Sequence, residues 1–279
     1  MCGVTGFINY NNPIKNMQIV VHRMNDQLAH RGPDDRGIWV DEQAGIALGH
    51  PRLSIIDVSC EGRQPMISES GRYVIAYNGE VYNFQKLKKE LQIKGHIFRS
   101  HSDTEVMLAA FEEWGIEEAV KRFIGMFAFA LWDRDEHILY LVRDRLGIKP
   151  LYYGWVNGAF VFGLELKALQ TCPGFCQPID RTGLAVFMRY NCIPAPYSIY
   201  EDIFKLLPGH IVKIFRDSKD IEITRYWSAQ SVAKQRLTSP FKGSDDEAVE
   251  QLDWLLRDAV KCRMIADVPL GAFLSGGID

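Results

Sequence analysis

The sequence contains no long hydrophobic run, and no stretch approaches the roughly 18 consecutive apolar residues that a membrane span requires. The N-terminus also lacks the basic segment and apolar core that are typical of a secretory signal peptide. Positive and negative charges are nearly balanced. The formal net charge of -3 gives no electrostatic reason to expect binding to nucleic acid or to an anionic membrane. We therefore expect a cytoplasmic protein with neither kind of partner.

Cysteine is sparse and scattered. The 6 cysteines are spread through 279 residues, which fits reduced thiols better than a disulfide framework. Cys172 and Cys176 form a close pair, but without a second pair or a histidine cluster nearby an ordinary loop is favoured over a zinc site. The hydrophobic content of 47% is ample for a core, and the length, against a prior of roughly 150 residues per domain, predicts one large domain and part of another.

The most informative residue is Cys2, which is followed by Gly3 and a short apolar run typical of a buried strand. If Met1 is removed, Cys2 carries a thiol and a free α-amine, so that a nucleophile and its own base lie on one residue. The α-amine has a reference pKa of about 7.7 to 8.0 and can accept the thiol proton near neutral pH, directly or through a water. On position alone a buried apolar cysteine is the better interpretation. The hypothesis of an N-terminal nucleophile therefore depends on other parts of the machinery downstream.

The pattern of apolar residues predicts short strands and hairpins interleaved with amphipathic helices. Residues 127–132 and 138–143 form one apolar hairpin, and a second hairpin turns at Asn157-Gly158. Residues 73–77 are predicted as a strand that breaks at Asn78-Gly79, because this dipeptide favours a tight turn. Antiparallel hairpins combined with pairs of helices indicate an α+β fold in which sheets are covered by helices.

The last part of the chain has a different character. Residues 211–226 are predicted as a strand pair, and residues 228–242 as a polar, irregular linker. A new helix begins near Ser244, and a short buried strand at residues 270–274 leads into Ser275-Gly276-Gly277-Ile278-Asp279. A glycine-rich turn in this position can present successive backbone N–H groups to pyrophosphate oxygens.

Several short motifs together carry a specific resemblance. They are Cys2-Gly3, Arg31-Gly32-Pro33-Asp34, Arg52-Leu53-Ser54-Ile55-Ile56-Asp57, Gln64-Pro65-Met66, Tyr77-Asn78-Gly79-Glu80-Val81-Tyr82-Asn83, Ser102-Asp103-Thr104-Glu105, Gly125-Met126-Phe127-Ala128-Phe129-Ala130 and Arg143-Asp144-Arg145-Leu146-Gly147-Ile148-Lys149-Pro150-Leu151. This set resembles the glutaminase domain of the class II glutamine amidotransferases. The terminal motif resembles the pyrophosphate loop of ATP pyrophosphatases. The two in this order are similar to the family of glutamine-hydrolysing asparagine synthetases.

The resemblance implies a fold and a division of the chain. The fold would be an α+β, four-layer α/β/β/α sandwich of the N-terminal-nucleophile hydrolase type, followed by the truncated start of an α/β ATP-pyrophosphatase domain. The implied units are a glutaminase domain at residues 1–210, a strand pair and linker at 211–243, and the beginning of the synthetase domain at 244–279.

The resemblance also implies roles for the residues that would hydrolyse glutamine. Cys2 would attack the side-chain amide and form a thioester, which releases ammonia and is then hydrolysed by water. The Asn78 side-chain amide and the Gly79 N–H would stabilise the tetrahedral oxyanion. Arg52 would bind the α-carboxylate of glutamine through its guanidinium fork, and Glu80 and Asp103 would supply negative charge for the α-ammonium.

The terminal motif implies a second activity in the full-length enzyme. Ser275, Gly276 and Gly277 would bind the nucleotide, and Asp279 would help to hold magnesium. ATP and Mg2+ would serve the synthetase reaction, in which ammonia amidates aspartate to asparagine, while the glutaminase domain needs no cofactor. The oligomeric state is left open, with a homodimer as one option.

Three alternatives stand beside this hypothesis. A phosphoribosyl or sugar-phosphate acceptor domain is disfavoured by Ser275-Gly276-Gly277. An adenylating enzyme that amidates another carboxylate, as in polysaccharide or antibiotic biosynthesis, is the closer runner-up, because the acceptor pocket lies beyond Asp279. A degenerate scaffold domain without activity would follow if Met1 were retained.

Overall fold

The computed structural model describes residues 2–10, 14–272 and 276. Its strands are β1 (Thr5–Asn9), β2 (Asp35–Asp41), β3 (Ile46–Arg52), β4 (Met66–Ile67), β5 (Tyr73–Val81), β6 (Gly125–Asp133), β7 (Ile138–Arg143), β8 (Tyr152–Val156), β9 (Ala159–Gly163), β10 (Ile203–Lys205), β11 (His210–Phe215) and β12 (Ile221–Arg225). Its α-helices are α1 (Met17–Asp26), α2 (Phe84–Ile93), α3 (Asp103–Trp114), α4 (Ile116–Arg122), α5 (Leu166–Gln170), α6 (Arg181–Tyr190), α7 (Ala229–Thr238) and α8 (Asp245–Cys262).

The strands form two antiparallel sheets of 6 strands each. Sheet 1 has the order β10-β8-β9-β1-β3-β2, and sheet 2 has the order β12-β11-β7-β6-β5-β4. The predicted hairpins are confirmed: β6 pairs with β7, and β8 pairs with β9 around Asn157 and Gly158, which both have positive φ.

The two sheets pack face to face, and helices cover both outer faces. Side chains from both sheets fill the layer between them, including Val4, Ile8, Leu48, Val74, Ala130, Leu141 and Phe160. Helices α1 and α5 pack on the outer face of sheet 1, and α2, α3 and α4 pack on the outer face of sheet 2. The four-layer α/β/β/α sandwich is therefore confirmed. It also explains why β6 and β7 are apolar on both faces, since neither face meets water.

The predicted break at Asn78-Gly79 is wrong. Strand β5 continues through both residues to Val81, with Asn78 opposite Ala128 and Gly79 opposite Phe127 on β6. Gly79 does not need a positive φ here; it needs the absence of a side chain. A Cβ at this position would lie 2.2 Å from the carbonyl oxygen of Met126, which only glycine avoids.

The strand pair after residue 210 belongs to sheet 2. Ile211 pairs with Val142, so β11 continues the sheet beside β7, and β12 follows at its edge. Part of the predicted linker is also regular, because α7 occupies residues 229–238 with Ser228 as its cap.

Helix α8 begins where the sequence predicts it. Ser244 and Glu247 form a reciprocal capping box, in which each side chain accepts the other residue's N–H. The apolar side chains of this helix are exposed and comprise Val249, Leu252, Trp254, Leu255, Leu256 and Val260. The first part of the predicted buried strand is wrong, since residues 270–272 are exposed and lie in no strand; residues 273 and 274 lie outside the described residues.

The segment after α8 contacts residues that lie between β3 and α2. Asp267 donates its N–H to the carbonyl of Ile55 at 2.9 Å, and its carboxylate accepts the N–H of Asp57 at 2.7 Å. The Arg263 guanidinium lies over the Tyr82 ring, 4.5 Å from its centroid.

Within the described ranges, no helix combines the length and apolar composition that a membrane span needs.

Candidate active site

A cavity of about 410 Å³ lies at one end of the sandwich, where both sheets meet the start of α3. All of the residues predicted to act on glutamine line it, and they come from four separate parts of the chain: Cys2, Arg52, Asn78, Gly79, Glu80 and Asp103. Cys2 precedes β1 and Arg52 ends β3, whereas Asn78 and Gly79 lie on β5 of the other sheet. The fold therefore brings together side chains that are far apart in sequence.

Cys2 is half-buried, and its thiol lies against the backbone of Leu53. The Leu53 N–H donates to Sγ at 3.4 Å, and Sγ lies 3.5 Å from the Leu53 carbonyl oxygen. Burial raises the pKa of the Cys2 thiol, although the Leu53 N–H and the nearby Arg52 charge act in the opposite direction. None of the described residues that line the cavity is a histidine. No imidazole among these lining residues is therefore placed to accept the thiol proton.

The Gly79 N–H faces the outer edge of β5. The N–H of Tyr77 donates to the side chain of Gln64 at 2.7 Å, and the N–H of Val81 donates to Asp103 at 2.9 Å. Alternate residues of an antiparallel strand direct their N–H groups to the same edge. Gly79 lies midway between these two residues, so its N–H points to that edge as well, away from β6.

Asn78 presents an unpaired donor. Val74 and Ala76 face the layer between the sheets, and the period of two along a strand places the Asn78 side chain on the same face. Asn78 is 1% exposed, and its Nδ2 has no hydrogen-bond partner within the described part of the chain. An unsatisfied buried donor costs about 1–3 kcal/mol. Because this residue also lines the cavity, its Nδ2 is a candidate donor to an oxygen of a bound ligand.

The Arg52 guanidinium is held by the loop that follows β3. Its Nη1 donates to the carbonyl of Ser59 at 2.9 Å, and its Nη2 donates to the carbonyl of Asp57. Each Nη nitrogen carries two hydrogens, so one on each remains for a ligand. Gly62 lies directly beside the guanidinium, where a Cβ would come within 2.1 Å of Nη2. The arginine is only 6% exposed and is preorganised by backbone acceptors.

Two carboxylates and one lysine also line the cavity: Glu80, Asp103 and Lys149. Burial raises the pKa of Asp103, although its Oδ2 accepts hydrogen bonds from Val81 and from the Tyr77 hydroxyl. Burial and the neighbouring Asp103 raise the pKa of Glu80, and Lys149 acts in the opposite direction. Burial in turn lowers the pKa of Lys149. A cationic group bound between the two carboxylates would favour their ionised forms.

Comparison with known families identifies the family of this chain. A sequence model of the glutamine amidotransferase domain matches residues 1–227, which is most of the chain. The chain belongs to the class II glutamine amidotransferases. A second model, of asparagine synthase, matches residues 251–279.

Two curated relatives align with the whole length of this chain. Asparagine synthetase [glutamine-hydrolyzing] 3 of Bacillus subtilis is 38% identical over 282 residues, which cover 100% of this chain and 44% of the relative. The amidase chry2 of Gibberella zeae is 34% identical and is covered over 41% of its length. The chain thus spans less than half of either relative.

A solved structure shares the fold of the amidotransferase domain. The structure of the allosteric regulatory enzyme of purine biosynthesis superposes with a TM-score of 0.62 at 20% identity, over 81% of this chain and 49% of that chain. At this identity the likeness concerns the fold alone.

The Arg31-Gly32-Pro33-Asp34 motif and His50 lie outside the lining of the cavity. The Arg31-Gly32-Pro33-Asp34 turn braces the end of β3: the Asp34 N–H donates to the Arg52 carbonyl at 3.0 Å, and the Asp34 carboxylate accepts the Ser54 N–H at 2.8 Å. His50 is fully buried beside the Tyr77 carbonyl, and burial lowers its pKa to about 4. Neither Asp34 nor His50 lines the cavity.

The predicted nucleotide site falls almost entirely outside the described residues. Ser275, Gly277 and Asp279 are not among them, and Gly276 is described as exposed. Across residues 2–10, 14–272 and 276, no group of three or more His, Cys, Asp and Glu side chains could hold a metal ion.

The motifs did not assign Gln64, Tyr77 and Lys149 to the site, although all three line the cavity. The Gln64 side chain accepts the Tyr77 N–H at the outer edge of β5, and the positive charge of Lys149 acts on Glu80. Each lies inside a motif that carried the resemblance, which is the signal that could have found it.

Proposed function

We propose that this chain hydrolyses L-glutamine to glutamate and ammonia through a thioester on Cys2. The observation that carries the proposal is the unpaired Asn78 Nδ2, on a residue that lines the same cavity as Cys2. A buried donor left without a protein partner beside a nucleophile is what the oxyanion of acyl transfer requires.

The reaction begins once Met1 is removed. The free α-amine of Cys2 takes the thiol proton, and Sγ attacks the side-chain carbonyl carbon of glutamine. The developing oxyanion accepts hydrogen bonds from Asn78 Nδ2 and from the Gly79 N–H. The protonated α-amine of Cys2 returns the proton to the departing nitrogen of glutamine, the C–N bond breaks, and ammonia leaves. The amine then deprotonates a water that attacks the thioester, which releases glutamate and restores the thiol.

The head group of glutamine fits the charged side chains that line the cavity. Arg52 has an N–H left on each Nη nitrogen for the α-carboxylate, and Glu80 and Asp103 provide negative charge for the α-ammonium. The ammonium supplies the cation that keeps both carboxylates ionised, despite the burial that raises their pKa values.

The ammonia would be used by a synthetase domain of which residues 251–279 are the matched part. In the full-length enzyme, we infer that ATP with Mg2+ activates the carboxylate of aspartate, which ammonia then converts to asparagine. The names of the Bacillus subtilis relatives support this acceptor. A different carboxylate is the second candidate, because not every relative is named an asparagine synthetase: one that is 34% identical is named amidase chry2.

The test of the glutaminase proposal is covalent labelling with a diazoketone analogue of glutamine, which alkylates the attacking thiol and loses nitrogen. We expect one adduct per chain, located by peptide mass mapping at a chain start of Cys2 and prevented by excess glutamine. Cys60 is exposed and serves as the internal control for non-specific alkylation. Folded protein that gives no adduct, or an adduct at Cys60 alone, would contradict the proposal, and an intact mass that includes Met1 would favour the scaffold alternative.

Replacing Arg52 by alanine should weaken glutamine binding far more than it slows the chemistry. Hydrogen bonds to charged groups contribute about 1.5–3 kcal/mol, so we expect KM for glutamine to rise about 10- to 100-fold, with kcat lowered less than about 5-fold. Steady-state measurement of glutamate release gives both constants. Arg63→Ala, which removes an arginine whose side chain is 68% exposed and paired with Asp35, is the matched control and should change neither. An unchanged KM in Arg52→Ala would remove Arg52 from the site.

A further inference from the structure

Asp57 is a buried carboxylate to which the reaction above gives no role. It closes the Arg52-Leu53-Ser54-Ile55-Ile56-Asp57 motif, is 5% exposed, and adopts a φ of 55°. A left-handed conformation is unusual for a residue other than glycine, although aspartate and asparagine tolerate it better than most. A charged side chain in such a place is normally surrounded by hydrogen-bond donors.

The contacts of Asp57 reach both halves of the predicted head-group site. Its carbonyl accepts a hydrogen bond from Arg52 Nη2. Its Oδ1 accepts the N–H and hydroxyl of Ser59, whose carbonyl in turn accepts Arg52 Nη1. Its Oδ2 accepts the His101 N–H at 2.9 Å, two residues before Asp103. One carboxylate thus joins the loop that holds the guanidinium to the segment that leads into α3.

The ionisation of Asp57 suits this position. Burial alone would raise its pKa, but the hydrogen bonds from Ser59 and His101 outweigh burial and lower it. Its own N–H donates to Asp267, which lies in the part of the chain that matches asparagine synthase. The loop is therefore held both through the Asp57 carboxylate and through the Asp57 N–H.

We propose that Asp57 is a positioning residue for glutamine recognition, which fixes the separation between the carboxylate-binding Arg52 and the ammonium-binding Asp103. The proposal rests on the proposed function. It assigns to Asp57 no contact with the substrate. Its effect is to make the two charged ends of an L-α-amino acid bind together, so that the site discriminates against amides that lack one end.

Asp57→Asn is the informative variant because asparagine keeps the size and tolerates the left-handed backbone. Its amide has one acceptor oxygen and a donor NH2 group, whereas three donors face the native carboxylate. At least one of these donors must lose its partner, and the loop can then shift relative to α3. Asp57→Gly keeps the backbone conformation at low cost and removes every side-chain contact.

The measurement compares glutamine with glutaramic acid, which has the same side-chain amide but no α-ammonium. In Asp57→Asn we expect KM for glutamine to rise about 10-fold with kcat within about 3-fold, and the preference for glutamine over glutaramic acid in kcat/KM to fall about 10-fold. Asp57→Gly should show the same pattern more strongly. Asp202→Asn is the matched control, since Asp202 is an exposed aspartate with a φ of 59°. It should change none of these values.

The outcomes separate this inference from the proposed function. Wild-type protein that neither hydrolyses glutamine nor reacts with the diazoketone would overturn both. Normal labelling with a KM within about 2-fold of wild type in both Asp57 variants would overturn only the role of Asp57. A loss of kcat/KM that is equal for the two amides would do the same, because it would show general damage to the site and no loss of head-group discrimination.

Discussion

Replacing Cys2 by alanine should abolish the release of glutamate from glutamine. Loss of the nucleophile costs on the order of 10⁶ in kcat in another acyl-transfer enzyme, so we expect a fall of at least about 10⁴-fold, to the limit of detection. The physical reason is that no other described thiol, and no histidine, lines the cavity. Glutamate release is measured with a coupled assay under saturating glutamine.

The fold should survive this change. Cys2 is half-buried and its thiol makes only weak hydrogen bonds to Leu53, so the Tm of Cys2→Ala should stay close to that of the wild type. Cys60→Ala, which removes an exposed thiol, should retain full activity. Glutamate release at near wild-type rate in Cys2→Ala would remove the nucleophile from the proposal.

The α-amine can be tested separately from the thiol. A preparation that retains Met1 keeps the Cys2 thiol, but the nitrogen of Cys2 is then part of a peptide bond and cannot accept a proton. Since burial raises the pKa of the thiol, little thiolate exists near neutral pH without that base. We expect the activity of mixed preparations to be proportional to the Met1-free fraction measured by intact mass. Activity independent of that fraction would require another base.

Local patterns predicted the elements whose structure is decided locally. The 127–143 hairpin and the Asn157-Gly158 turn depend on neighbouring residues, and both are confirmed. The predicted break in β5 at Asn78-Gly79 is wrong because the turn propensity of this dipeptide is weaker than the nine-residue pairing of β5 with β6. The place of β11 in sheet 2 depends on its pairing with Val142, a contact between distant residues that local periodicity does not contain.

The candidate site shows the same division between local and distant information. The motifs predicted which residues share the cavity, because the motifs are defined by residue identity alone. The hydrogen bonds that hold Arg52 were not predicted, since they use backbone carbonyls of Asp57 and Ser59 whose direction depends on the loop conformation. The contribution of Lys149 depends on its approach to Glu80 across the cavity, which is likewise a property of the folded chain.

The unpaired donor of Asn78 links stability to activity. A buried donor without a partner lowers the free energy of unfolding, and such groups persist where function requires them. If Asn78 serves the oxyanion, its removal should harm the reaction and spare the fold. A purely structural asparagine would behave in the opposite way.

Replacing Asn78 by alanine should therefore lower kcat about 10²- to 10³-fold with little change in KM, as expected for a donor that acts mainly on the transition state. The free energy of unfolding should stay within about 1 kcal/mol of the wild type, because the loss of packing is offset by removal of an unsatisfied polar group. Steady-state kinetics and denaturant unfolding give the two quantities.

Asn9→Ala is the matched control for this change. Asn9 is also buried, but its amide is satisfied: Nδ2 donates to the Ile14 carbonyl at 3.0 Å and Oδ1 accepts the Ile14 N–H at 3.4 Å. Its loss should lower the free energy of unfolding by about 1–2 kcal/mol and leave kcat unchanged. If Asn78→Ala instead behaves like Asn9→Ala, with lower stability and normal kcat, the amide is part of the core and the oxyanion must be stabilised by other donors.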